Sequence, residues 1–219
     1  MQGIPEQTLI DFQMYYTGNN TQPALDFSPF TDNVYVFPNY TDRYALGPGK
    51  GVSPIPSIFG TNNNEGISLI DYPADPAVGP NQTLADQTTL SSFLCPAARS
   101  TTFREQQNLT TYRYLYKGNF TDVSPRPWLG PYHSSELPQI FGTRGDFRGP
   151  ASDYEVAVSK AMQERWVSFA RDPRVAEGWV EAATGNLNVY AEGSPEGGMP
   201  VSTAALGDVQ APCAAAGLL

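Results

Sequence analysis

The clearest strand in this sequence is Thr110-Thr111-Tyr112-Arg113-Tyr114-Leu115-Tyr116. Its tyrosines alternate with arginine and leucine, which is the period-two pattern of side chains that point to opposite faces of a sheet. Weaker strand patterns lie upstream at residues 34–37 and 55–59 and downstream at residues 187–190, where we expect the last strand. Short strands are therefore spread over most of the chain.

Segments with helical spacing lie between these strands. Residues 5–16 carry apolar side chains at helical intervals, and residues 84–107 permit a helix that Pro96 should break. The best helix follows the capping box at residues 152–155 and stops before Pro173. Strands that alternate with helices indicate an α/β fold, with a mostly parallel sheet covered by helices.

Composition limits both the architecture and the partners. The 219 residues suffice for one sizeable core, and no repeat or long linker divides residues 1–219, so we expect one unit or part of one. Lys and Arg number 13 against 22 Asp and Glu, and no basic stripe is present, which argues against nucleic acid as a partner. No segment approaches the ~18 apolar residues of a membrane span, and the start has no signal-peptide pattern.

Asn-X-Ser/Thr sequons are more frequent than 12 asparagines would produce by chance. They lie at Asn19, Asn39, Asn81, Asn108 and Asn119. The excess favours a secreted glycoprotein, although loops rich in Asn and Thr can also contain sequons that are never modified. Because a secreted protein needs a signal peptide, either the sequence is a fragment or the sequons are not used.

The two cysteines, Cys95 and Cys213, lie far apart in the sequence. An even number of cysteines in a sequon-rich chain suits one long-range disulfide, and two buried free thiols are the alternative. A metal site that combines both with His133 would lack the short paired spacing of zinc sites. A disulfide would tie down the tail, residues 193–219, whose Ala-, Gly- and Pro-rich composition otherwise predicts little structure.

His133 is the only histidine, so any mechanism that needs an imidazole at neutral pH must use it. A structural role is the alternative, but His133 lies where a loop enters a helix expected over residues 135–141, and such loops often carry catalytic residues. Glu65 follows a strand and precedes the histidine by 68 residues, the acid-then-histidine order of α/β-hydrolases. Glu136 is expected in the first turn of the helix, where its charge would favour the helix dipole.

Several segments together resemble the type-B carboxylesterases and lipases, the cholinesterase-like α/β-hydrolases, and most of all their secreted fungal members. Residues 60–66, GTNNNEG, resemble the family's segment G-x-N-x-[ND]-E-G, and residues 127–138, PWLGPYHSSELP, resemble its histidine segment. The resemblance implies that Glu65 and His133 are the acid and the base of a Ser-Glu-His triad. It also implies that Cys95 pairs with Cys213, that no cofactor is needed, and that the substrate is a small-molecule or lipid ester.

The nucleophile of that family has no match in this chain. No G-x-S-x-G motif and no Gly-rich oxyanion segment occur, and in the family both precede the acid. We therefore expect the chain to be the C-terminal portion of a secreted esterase that depends on a missing N-terminal half and is inactive alone.

Two other functions are compatible with the residues. Cholinesterase-like folds also serve as adhesion ectodomains, so a non-catalytic recognition module is one alternative. The other is a carbohydrate-binding protein that uses exposed aromatic side chains, for which only Trp128, Trp166 and Trp179 are candidates.

Overall fold

A computed structural model describes residues 3–25, 28–146, 148–193 and 198–219. The strands are β1 (Ser57–Asn62), β2 (Thr111–Tyr116), β3 (Asn186–Glu192) and β4 (Met199–Ala205). The helices are α1 (Glu6–Gly18), α2 (Tyr40–Ala45), α3 (Gln82–Thr89), α4 (Cys95–Gln106), α5 (Leu137–Phe141), α6 (Asp153–Arg171) and α7 (Leu206–Ala215). Short 3₁₀ turns cover Glu65–Ser68, Arg144–Asp146 and Ala182–Thr184.

The chain divides into two compact units, residues 1–43 and 44–219, where the sequence predicts one. The helix predicted at residues 5–16 is present as α1 in the first unit, and none of its residues is buried. The strand predicted at residues 34–37 is wrong. There the Asp32 carboxylate accepts the main-chain N–H groups of Val34, Tyr35 and Val36, which holds the backbone in a turn instead of leaving it to pair with another strand.

The four strands form one sheet in the order β1-β2-β3-β4. The first three are parallel and β4 is antiparallel to β3, so the predicted mostly parallel α/β sheet is confirmed. Strand β1 is displaced from its predicted position at residues 55–59. Pro54 and Pro56 lack an N–H for the ladder, which therefore begins at Ser57.

One face of the sheet packs against α6 through aromatic side chains. The aromatic cluster comprises Tyr112, Tyr114, Tyr116, Trp166, Trp179 and Tyr190. The N-cap of α6 is Ser152, whose hydroxyl accepts the N–H of Glu155 as the capping box predicts. Trp128 is also half-buried and donates its indole N–H to the carbonyl of Pro76, so no tryptophan offers the exposed face that a carbohydrate-binding protein would need.

The opposite face of the sheet is covered by α4 and α7. Arg113 of β2 is fully buried there and donates to the hydroxyl of Thr101 in α4, while Leu115 packs against Leu206 of α7. Helices therefore cover both faces of the sheet.

The helical segment at residues 84–107 does not break at Pro96. Instead, α3 continues through a π-helical turn, Leu90–Leu94, directly into α4. Pro96 lies in the first turn of α4. A missing N–H is tolerated at that position, and the wider π turn accommodates the change of register between the two helices.

The tail is not weakly structured, and residues 187–190 are not the last strand. Strand β4 pairs with β3 from Asn186↔Ala205 to Glu192↔Met199, and α7 follows it without a gap. Pro200 is tolerated because β4 lies at the edge of the sheet.

A disulfide joins Cys95 to Cys213 and ties α7 to the start of α4. The pairing implied by the resemblance is therefore present, and it excludes both free thiols and a thiolate metal site. Within the described ranges, no helix is both long enough and apolar enough to cross a membrane.

Candidate functional site

Two neighbouring parallel strands bring Glu65 and His133 to one edge of the sheet. Strand β1 ends at Asn62, and Glu65 begins the 3₁₀ turn that follows it. Strand β2 ends at Tyr116, and the loop that leaves it leads to His133. Because β1 and β2 run side by side in the same direction, the loops at their carboxyl ends meet.

The two side chains are in direct contact. His133 Nδ1 lies 2.7 Å from Glu65 Oε2. The carboxylate is buried, while 43% of the histidine side chain is exposed. The contact occupies Nδ1, so Nε2 is the ring nitrogen that remains to exchange a proton with another group.

The Glu65 carboxylate is fixed from its second oxygen as well. Oε1 accepts the main-chain N–H of Asn62 at 2.7 Å. Burial raises the pKa of Glu65 above its ordinary value, while the hydrogen bonds from Asn62 and His133 partly offset the rise. The next residue must be glycine, because a Cβ on Gly66 would lie 2.1 Å from the main-chain oxygen of Ala85 in α3. The Glu-Gly pair of the motif thus lets the acid turn pack tightly onto a helix.

Main-chain and amide hydrogen bonds join the loop that carries Glu65 to the loop that carries His133. The N–H of Asn64 donates to the carbonyl of Pro131 at 3.0 Å, and its side-chain amide donates to the carbonyl of Leu129 at 2.9 Å. The N–H of Asn63 donates to the carbonyl of Tyr116 at the end of β2. The asparagine-rich motif therefore fixes the relative positions of the two loops.

Phe93 of the π-helical turn packs against the imidazole of His133. Their ring centroids are 4.9 Å apart, with the planes tilted by 46°. Sequence reasoning did not select Phe93, although it lies two residues before Cys95, whose disulfide holds this part of the chain. The contact limits the orientations open to the imidazole.

Glu136 does not lie in the first turn of a helix as expected. Residues 133–136 form a turn in which Ser134 has a positive φ of 70°, and helix α5 begins at Leu137 and not at residue 135, with Glu136 as its N-cap residue. Glu136 precedes the helix, and its carboxylate accepts a 3.4 Å hydrogen bond from the hydroxyl of Tyr114 and another from the side-chain amide of Asn62. Its contacts therefore lie within the site.

All five sequon asparagines are at exposed positions. Asn81 also caps α3, since its Oδ1 accepts the N–H of Leu84. A glycan attached to Nδ2 would leave that oxygen in place. The positions are thus accessible, and their modification stays a prediction.

Comparisons with known proteins agree on one family. A family model described as the carboxylesterase family matches residues 75–191, more than half of the chain. The chain is 37% identical to secreted lipase 5 of Gibberella zeae over 181 residues, and these residues cover 79% of this chain and 34% of that protein. It is 44% identical to a chlorogenic acid esterase of Aspergillus niger over 172 residues, which cover 78% of this chain and 31% of that protein. The chain thus spans about a third of the length of these relatives.

Proposed function

This chain belongs to the carboxylesterase family, and we propose that it supplies the acid and the base of an ester hydrolase, with His133 as general base and Glu65 as its partner. The observation that carries the proposal is the 2.7 Å contact between His133 Nδ1 and a buried Glu65 oxygen. An oriented imidazole with a carboxylate on one nitrogen is what nucleophilic acyl transfer requires. The nucleophile would be a serine outside these 219 residues, which contain no G-x-S-x-G motif.

The reaction proceeds through an acyl-enzyme. The serine oxygen attacks the ester carbonyl while His133 Nε2 takes its proton, and the resulting imidazolium then gives that proton to the leaving alcohol. Water then attacks the acyl-enzyme while His133 takes its proton and returns it to the serine oxygen, and the carboxylic acid product is released. Throughout, Glu65 keeps the proton on Nδ1 and stabilises the imidazolium.

The test is ester hydrolysis by the longer protein that contains this chain. Replacing the acid by an amide, Glu65→Gln, should lower kcat by about 10⁴-fold, and His133→Ala by at least as much, as in other serine hydrolases. Glu164→Gln is the matched control, because Glu164 is an exposed residue of α6 whose ion pair is with the exposed Lys160 one turn away. Hydrolysis of a short p-nitrophenyl ester at wild-type rate by His133→Ala would refute the proposal.

The 219-residue chain alone should hydrolyse the same ester negligibly, because it would provide a base without a nucleophile. Measurable turnover by the isolated chain, abolished in His133→Ala, would contradict this part of the proposal.

The substrate class is proposed from the relatives, a lipase and a chlorogenic acid esterase, and is a small-molecule or lipid ester. The non-catalytic recognition module is not favoured, since both relatives are named for ester hydrolysis.

We place the protein outside the cell. One relative is named as secreted, the chain has a long-range disulfide, and its five sequons are exposed. Expression through a eukaryotic secretory pathway should therefore give a product whose mass falls on treatment with an N-glycosidase. An unchanged mass would argue that the sequons are not used.

A further inference from the structure

Asn62, the last residue of β1, contacts both Glu65 and the segment that carries His133. It is 1% exposed, and its main-chain N–H holds Glu65 Oε1. Its side-chain Nδ2 donates to the carbonyl of Tyr132 at 2.7 Å and also to the carboxylate of Glu136. One residue thus links the acid to the segment that carries the histidine.

The chemistry of these contacts requires an amide at position 62. A carboxamide nitrogen carries two hydrogens, and here two acceptors take both. One acceptor is the peptide oxygen directly before His133, which fixes the backbone from which the imidazole extends. The other is a carboxylate, which makes the stronger, charge-assisted kind of hydrogen bond.

Glu136 is in turn held by the core of the protein. The hydroxyl of Tyr114, a member of the aromatic cluster, donates to its other oxygen at 3.4 Å. The charge of Glu136 also contributes to the raised pKa of Glu65, so two carboxylates here oppose each other. A carboxylate at position 136 is unfavourable for the stability of the fold, and its hydrogen bond to the Asn62 amide explains why it is there.

We propose that Asn62 is a positioning residue, and that its side-chain hydrogen bonds to Tyr132 and Glu136, the Asn62 clamp, hold His133 in register with Glu65. The catalytic meaning of the clamp rests on the proposed function. The clamp itself can be measured without any activity.

The measurement uses the fact that His133 is the only histidine. In the ¹⁵N-labelled 219-residue chain, its Nδ1–H gives one downfield proton resonance, whose exchange rate with water reports how firmly the ring is held on Glu65. Asn62→Asp is nearly isosteric but removes both donors. Asn63→Asp makes the same change at the adjacent exposed position and is the matched control.

A second variant pair reverses the hydrogen bond. Glu136→Gln alone keeps an acceptor for Asn62 and should leave the exchange rate within about twofold of wild type. In Asn62→Asp/Glu136→Gln, the new amide at position 136 can donate to the new carboxylate at position 62. This double variant should therefore regain the part of the loss that comes from the bond to residue 136, while the bond to the Tyr132 carbonyl stays lost because a carboxylate cannot donate.

We expect exchange to accelerate by about tenfold or more in Asn62→Asp, the size that fits loss of a hydrogen bond to a charged group. The control should stay near wild type and the double variant should fall between them. A wild-type rate in Asn62→Asp overturns the clamp, and a double variant as fast as Asn62→Asp overturns its Glu136 arm. If circular dichroism shows that both chains carrying Asn62→Asp are unfolded, Glu136→Ala decides, since it deletes the acceptor at the half-buried end, and a wild-type rate there overturns the proposal.

The outcome is independent of the proposed function. If Asn62→Asp accelerates exchange while His133→Ala leaves ester hydrolysis by the longer protein intact, the function fails and the clamp stands. The opposite pair of results removes the clamp and keeps the function.

Discussion

Removing the disulfide should cost a large part of the stability of the chain. Cys95 and Cys213 are separated by 118 residues, and both are essentially buried. The perturbation is the double variant Cys95→Ala/Cys213→Ala, which keeps small apolar side chains at both positions. The change then reports mainly the loss of the cross-link.

The expected magnitude follows from the length of the closed loop. For a loop of this size, the chain-entropy model assigns the denatured state a loss of entropy worth about 4.9 kcal/mol at 25 °C. Native domains have a total unfolding free energy of only about 5–15 kcal/mol, so the variant should be marginal.

Urea unfolding of the oxidised chain and of the variant measures the effect. With a slope of about 2 kcal/mol/M, the midpoint should fall by about 2 M. Wild-type chain reduced with a phosphine is the control, because it keeps both sulfur atoms and loses only the bond; it should behave as the variant does. A difference in unfolding free energy below about 1 kcal/mol would refute the reasoning, since it would mean that the cross-link does not restrict the denatured chain.

Three further predictions concern Glu65, Tyr190 and Gly60. The pKa of Glu65 is raised by burial, so the stability associated with this group is greatest below its unfolded pKa and is lost as the pH rises through the folded pKa. Glu65→Gln should therefore gain stability relative to wild type as the pH rises above the ordinary glutamate pKa of about 4.3, and a difference between the two urea midpoints that does not change with pH would contradict it. Tyr190→Phe should be neutral or should stabilise by up to about 1 kcal/mol in thermal unfolding, because among the described residues its buried hydroxyl has no partner; a clear loss would indicate a partner. Gly60→Ala should destabilise by about 2 kcal/mol, because its Cβ would lie 1.8 Å from the ring of Tyr114, whereas Gly207→Ala in α7 meets nothing within 4 Å and serves as the control; equal urea midpoints for the two variants would rule the clash out.

Elements with a strong local pattern could be predicted from the sequence. The alternation of tyrosines identified β2, and the capping box with the apolar spacing behind it identified α6 to within a residue or two at each end. In both cases the residues that determine the element lie inside it. These two elements pack against each other through the aromatic cluster, so the centre of the fold could be predicted.

Other elements depend on partners that are distant in the sequence or on single side chains. Strand β4 has little β propensity of its own and exists because it pairs along β3. The carboxylate of Asp32 converts an apparent strand into a turn. Such effects leave no periodic pattern.

The candidate site divides in the same way. Glu65 and His133 were predictable because chain order and family motifs single them out. Asn62 stood within the GTNNNEG motif, but its role depends on the parallel alignment of β1 and β2, which brings Tyr132 and Glu136 to it. The role of Phe93 likewise depends on the π-helical turn, which the sequence did not predict.

Polar groups are buried at the end of β1 in a way that stability alone does not explain. Burial disfavours the charged form of Glu65, and the negative charge of Glu136 disfavours it further. Among the described residues, Thr61 Oγ1 and Asn62 Oδ1 are also buried without a hydrogen-bond partner, each at a cost of about 1–3 kcal/mol. A chain selected only for stability would place apolar side chains here. These unfavourable groups lie at the strand end that meets the only imidazole, and we explain their burial there as the cost of holding that imidazole on a carboxylate.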